Sequence, residues 1–166
     1  MAASVFSDFQ LIIGGAPGIN PDYYKSFLNN YSATVIFDQT YYILQQSKAA
    51  LVTSGTATLE TALLRVPQVV CYKMPFKYAS AFLWKYFFKV KYISLVNLIA
   101  DRPLVRELFN EKFSIENIRN ELSRLLYDTE YIDTMQAGYS EVIDLLGGAG
   151  ASERAAEEIF KLKTNN

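Results

Sequence analysis

Residues 49–73 read AALVTSGTATLETALLRVPQVVCYK, and the order of textures within them decides the fold. AALVT (49–53) is an apolar run of strand length. TATLETALLR (56–65) carries helix-forming residues, and PQVVCYK (67–73) returns to a β-branched run. The Val-Val-Cys-Tyr centre of that run has no polar alternation, which suits a parallel strand covered on both faces. Strand, helix and strand in succession make a parallel pair joined by a right-handed crossover.

The same alternation extends toward the N-terminus. QLIIGG (10–15) reads as a strand ending in glycines, and Pro17, Gly18 and Pro21 punctuate the loop after it. Pro21 at a first helical turn, with Asp22 beside it, predicts a helix over 21–30. ATVIF (33–37) is a strand and QTYYILQQS (39–47) a helix. Beyond residue 73, residues 76–90 read as helix and KYISL (91–95) as a fifth short strand. From about 103 the chain reads as helices only, over roughly 103–110, 114–127, 129–146 and 151–163, with Ser152 as an N-cap after the Gly-rich break at 145–152. The expected architecture is α/β: a doubly wound parallel sheet of about five strands, helices on both faces, and a helical C-terminal extension. No repeat or linker divides it, so residues 1–166 are read as one domain. Such a sheet commonly opens with a strand and a Gly-rich turn, GxGxxG or a P-loop. Neither occurs here, so the first βα unit reads as missing and the chain as part of a longer protein.

Composition narrows the chemistry. The chain has 166 residues, 51% hydrophobic and 20% charged, which is a globular balance. There is no histidine, so a Ser-His or Cys-His nucleophile pair and the commonest metal ligand are both excluded from this chain. Cys71 is the sole cysteine, which excludes a disulfide framework and a cysteine-rich zinc site. No metal or cofactor is expected. The net charge of -1 argues against a nucleic-acid partner. That small total conceals an island: residues 61–100 hold Arg65, Lys73, Lys77, Lys85, Lys89 and Lys91 and no acid, between two acidic flanks. The opening MAASVFSDFQ lacks the pattern of a secretory signal, and no charge-free apolar run is long enough to span a membrane, so a cytoplasmic location is expected.

Three stretches could carry function. In LVTSGTATLE (51–60) a strand runs through Ser54, Gly55 and Thr56 straight into a helix, whose first-turn N–H groups lack intrahelical partners and attract phosphate. With Thr56 as N-cap, Glu60 stands one position beyond the capping-box site and is free to meet vicinal hydroxyls. An ordinary helix start would have the same pattern. Residues 74–92 interleave aromatics with lysines: Phe82, Trp84, Lys85, Phe88 and Lys89 form a helix suited to a membrane interface or acyl chains, or equally to a core with snorkelling lysines. In SLVNLIADRPLVRELFNE (94–111), Asn97 falls where a strand gives way to a loop, and Glu107 projects from a helix begun by Pro103. Polar groups at strand ends face the crevice of an open parallel sheet, though a surface turn reads alike.

Taken in order, SGTATLE, PQVVCYK, the aromatic-lysine helix and KYISLVNLIADRPLVRELFNE resemble the lipid-A-disaccharide synthase family of inverting glycosyltransferases. The resemblance implies the C-terminal, donor-binding half of a GT-B fold. It implies a reaction joining UDP-2,3-diacylglucosamine to 2,3-diacylglucosamine 1-phosphate, giving the lipid A disaccharide and UDP at the inner membrane of a Gram-negative bacterium. Ser54, Gly55 and Thr56 would then face the donor diphosphate, Glu60 the ribose hydroxyls, and Asn97 and Glu107 the same crevice. The 76–91 helix would meet the membrane surface or acyl chains. Two departures stand out: Val96 occupies a position where many members have proline, and the family's GSR turn is absent together with the acceptor domain expected to hold the catalytic base. The piece alone is expected to be inactive, and its last helices, with Ile159 and Phe160, to pack as a homodimer. Two other readings stay open: the donor domain of a UDP-N-acetylglucosamine-dependent peptidoglycan glycosyltransferase, and a membrane-attached flavodoxin-like interaction module without nucleotide.

Overall fold

The computed structural model describes residues 5–28, 31–53, 55–73, 91–147 and 150–164. Its first elements alternate: β1 (Ile12–Gly15), α1 (Pro21–Leu28), β2 (Thr34–Phe37), α2 (Thr40–Gln46), β3 (Ala50–Val52), α3 (Thr56–Leu63) and β4 (Gln68–Tyr72). Then come α4 (Leu95–Ala100), β5 (Arg106–Phe109), a short 3-10 turn at Asn110–Lys112, α5 (Ile115–Tyr127), α6 (Thr129–Leu145) and α7 (Ala151–Thr164). All ladders are parallel, as expected, but they form two sets: β1 with β2, and β3-β4-β5 with β4 central.

β4 is the spine of the core. Gln68, Val69, Val70 and Cys71 are all buried, because both of its edges are paired and both of its faces are covered. Arg106 on β5 reaches Glu121 on α5, whereas its neighbour Glu107 reaches the start of α4, so α5 and α4 lie on opposite faces. α3, α4 and α6 touch one another, and α6 also packs on α5. Val96, Val105, Leu108, Leu125, Met135, Tyr139 and Val142 complete the interior at 1% exposure or less. Burial pushes the Cys71 thiol up to about 11. Among the described residues, the β1-α1-β2-α2 portion contributes no large side chain to this core. Its strand residues Ile12, Ile13, Val35 and Ile36 are only half-buried.

Residues 91–110 reverse the expected assignment. The predicted strand at 91–95 is instead the approach to α4, and the predicted helix at 103–110 contains β5, so the part beyond 103 is not purely helical. Ser94 caps α4 by accepting from the Asn97 N–H, and Asp101 closes it in the left-handed region. Leu104, Val105 and Leu108 have helical spacing, but pairing in register with Val69–Tyr72 supplies the backbone bonds that make 106–109 a strand. Two smaller shifts accompany this one. Gly55, not Thr56, is the N-cap of α3, and α7 begins at Ala151, which puts Ser152 inside it. The predicted 76–90 helix lies outside the described residues.

Candidate functional site

The register of the three-stranded sheet sets the level of the site. Val52, Val70 and Glu107 stand opposite one another on β3, β4 and β5. Residues beyond this level lie at the carboxyl ends of parallel strands, where open α/β sheets bind ligands. After Val52 the chain passes Thr53 and turns at Gly55, with φ +75°, into α3. Among the described residues nothing lies within 4 Å of where a Cβ on Gly55 would stand, and the positive φ favours glycine. Among the described residues no side chain caps the first turn of α3. The Thr58 and Thr61 hydroxyls instead donate back to Gly55 O at 3.0 Å and Ala57 O at 2.7 Å. At the positive end of the helix dipole, the exposed corner therefore offers the N–H groups of Thr56 and Ala57, which no side chain among the described residues caps.

Glu60 follows Thr56 by one helical turn and lies on the same stripe of α3. The Tyr41 hydroxyl of α2 donates to its Oε1 at 3.3 Å, and both residues remain accessible to solvent. Sequence reasoning misses Tyr41. Its only signal is an aromatic at the exposed start of a short helix, and its tie to Glu60 across two elements has no local signature. Gly55, Thr56 and Glu60 thus come together; Ser54, which precedes them in sequence, lies outside the described residues.

Asn97 and Glu107 also come together, in a different way. Asn97 is 1% exposed and sits in α4, not in a loop after a strand. Its Nδ2 donates to Val105 O at 2.8 Å and to Glu107 Oε1 at 2.9 Å, and its Oδ1 accepts from Val105 N at 2.8 Å. Glu107 projects from a strand, not from a helix. Its carboxylate also accepts from Ile93 N, Ser94 N and the Ser94 hydroxyl. Both side chains are bonded into one network that ties α4 to β5. No hydrogen bond among the described residues links this network to Gly55, Thr56 or Glu60. Tyr72 and Phe109, paired at the end of the β4-β5 ladder, stack with centroids 6.0 Å apart.

Among the described residues no three acidic or cysteine side chains cluster as a metal site, and no helix is long and apolar enough to cross a membrane. Phe82, Trp84, Lys85, Phe88 and Lys89 lie outside the described residues.

Comparison with known proteins assigns this chain to a family. The family described as lipid-A-disaccharide synthetase matches residues 6–161. A lipid-A-disaccharide synthase of Trichlorobacter lovleyi is 38% identical over 130 residues, covering 78% of this chain and 33% of the relative. One of Geobacter sulfurreducens is 35% identical over the same length, and one of Rhodospirillum centenum is 33% identical over 98% of this chain and 41% of its own. The chain therefore spans between a third and two-fifths of the length of these relatives. On the extent of that match, it belongs to the lipid-A-disaccharide synthetase family of glycosyltransferases.

Proposed function

We propose that this chain is the part of a lipid-A-disaccharide synthase that binds the sugar-nucleotide donor. The reading rests on the Gly55 corner at the carboxyl edge of a parallel sheet, where no side chain among the described residues caps the first-turn N–H groups or comes within 4 Å of a Cβ position on Gly55. The corner of Ser54, Gly55 and Thr56 receives the diphosphate of UDP-2,3-diacylglucosamine, and Glu60, steadied by Tyr41, takes the ribose hydroxyls. Asn97 and Glu107 contribute to the same crevice as the bonded frame of its wall. In an inverting displacement UDP leaves as an anionic group. Main-chain N–H groups and a helix N-terminus stabilise the charge that develops on it.

The acceptor, 2,3-diacylglucosamine 1-phosphate, and the base that deprotonates its hydroxyl belong to polypeptide outside this chain, so residues 1–166 alone bind donor without turnover. The acid-free run of lysines and aromatics at 73–92 suits the anionic inner-membrane surface where both lipid substrates reside. The exposed Ile159 and Phe160 on α7 suit packing of a homodimer.

Calorimetric titration of the chain with UDP tests the donor assignment. Saturable binding that weakens at least tenfold in Glu60→Ala, with an unchanged melting temperature, is the expected result. No binding by the wild type, or equal binding by the variant, would refute it.

A further inference from the structure

The direction in which α3 begins is not fixed locally. Its N-cap is Gly55, the most permissive residue type, and no side chain among the described residues caps the first turn. A helix start held this loosely takes its orientation from elsewhere in the fold. Thr58, the third residue of the helix and fully buried, provides the link. Its N–H and its hydroxyl both donate to Gly55 O, at 3.4 and 3.0 Å. Its own carbonyl accepts from Gln68 Nε2 at 2.9 Å. The same Nε2 donates to the Tyr139 hydroxyl at 3.2 Å, and that hydroxyl donates to Val66 O at 3.1 Å. A continuous run of hydrogen bonds therefore leads from α6 through β4 to the backbone of the Gly55 corner.

Every proton in this network has one place. The two hydrogens of the Gln68 amide go to Thr58 O and to the Tyr139 oxygen, so the tyrosine's own hydrogen goes to Val66 O. α6 also grips the far end of α3: Gln136 Nε2 donates to Arg65 O at 2.6 Å, and the Arg65 guanidinium donates to the Ser140 hydroxyl at 3.0 Å. Core filling does not account for Gln68. It is fully buried at the start of β4, and among the described residues nothing donates to its Oε1. A buried amide with an unpaired oxygen costs stability, and a methionine of similar length would fill the place without that cost. The amide supplies what a methionine lacks: two donors at a fixed angle, one toward α3 and one toward α6. A residue that lowers stability while fixing a geometry is expected where that geometry is used.

We propose that Gln68 and Tyr139 are positioning residues of the donor site: through Thr58 they set the angle at which the first-turn N–H groups of α3 meet the diphosphate. The inference rests on the donor-binding reading of the Gly55 corner. Both side chains are fully buried, so they act on the ligand only through α3. Pre-set main-chain donors stabilise a developing anion without reorganising, and a helix start free to tilt would forfeit that advantage.

Calorimetric titration with UDP of the wild type, Gln68→Met, Tyr139→Phe and the double variant tests this. Leu122→Ala serves as the comparison: it hollows the core at α5, on the opposite face of the sheet, and lowers the melting temperature without touching the network. UDP affinity should fall roughly fivefold or more in Gln68→Met and in Tyr139→Phe, and stay within about twofold of wild type in Leu122→Ala. The double variant should lose no more than the larger single loss, since either substitution already cuts the same run of bonds. In amide NMR spectra without ligand, the Thr56 and Ala57 signals should move in Gln68→Met and hold still in Leu122→Ala. Unchanged affinity in Gln68→Met, an equal fall in Leu122→Ala, additive losses, or unmoved Thr56 and Ala57 signals would each overturn the positioning role while leaving the donor assignment standing. Absence of UDP binding by the wild type overturns the donor assignment, and the positioning role with it.

Discussion

Replacing Glu107 separates a framing role from a ligand-contacting one. Its carboxylate accepts from Ile93 N at 3.0 Å, Ser94 N at 2.9 Å, Ser94 Oγ at 2.8 Å and Asn97 Nδ2 at 2.9 Å. In Glu107→Ala the Asn97 amide keeps Val105 O, and the Ser94 hydroxyl can rotate, so neither counts as a full loss. The N–H groups of Ile93 and Ser94 lose their acceptor, Ser94 in a fully buried position. Each buried donor left unpaired costs about 1–3 kcal/mol, and bonds to a charged acceptor lie at the upper end. The variant should therefore lose about 3–4 kcal/mol, which for a domain of this size lowers the melting temperature by about 10 °C. Glu107→Gln, which keeps one acceptor oxygen but turns an amide toward Ile93, should fall between. Glu111→Ala, on the exposed turn after β5, should stay within about 0.5 kcal/mol of wild type. Urea unfolding followed by circular dichroism reads all three. A Glu107→Ala loss below about 1 kcal/mol would show that the network does not hold α4 to β5.

Gly138→Ala should destabilise by about 1–3 kcal/mol, read as a lowered melting temperature, because a Cβ there runs into the Leu104 side chain beneath α6. Alkaline pH should also weaken the fold: the unfolded Cys71 thiol ionises near its reference value of 9.0 but the folded one near 11, so up to about 2 kcal/mol of stability is lost as pH rises between them. Burial raises Tyr131 and Tyr139 as well, extending the decline above about pH 10. A urea midpoint that stays flat from about pH 8 to 11 would contradict the burial of these groups.

Where sequence and structure agree, the reason is that local pattern and tertiary environment ask for the same thing. The unbroken apolar centre of β4 could only be buried on both faces, and α5 and α6 begin at Ser114 and Asp128, whose side chains cap them as such residues do. Residues 91–110 were illegible because their structure is fixed by partners distant in sequence. Glu107 is a poor strand former by propensity, and its place on β5 is settled by the β4 ladder on one side and by donors at 93, 94 and 97 on the other. The Gly55 corner could be read because a strand, a glycine and a helix start are contiguous. The Tyr41–Glu60 bond could not, because nothing local couples residues 41 and 60.

The exchange of strand and helix within 91–110 also redistributes the work of the site. Had 91–95 been the strand, Asn97 would hang free at its end with an unspent amide. With β5 at 106–109, that amide is consumed in binding Val105, and Glu107 closes the same network from the strand level with Val52 and Val70. Among the described residues, the groups that the proposed donor site would have left for its ligand lie on the first turns of α3: the N–H groups of Thr56 and Ala57, the Thr56 hydroxyl and the Glu60 carboxylate. On the proposed function, recognition and rigidity would be carried by different residues. Changes at 56 and 60 should act on binding with little effect on stability, and changes at 97 and 107 should act on stability first. A crevice built this way would keep its wall fixed while one exposed helix start met the proposed ligand, and that is the arrangement in which main-chain donors cost least to orient.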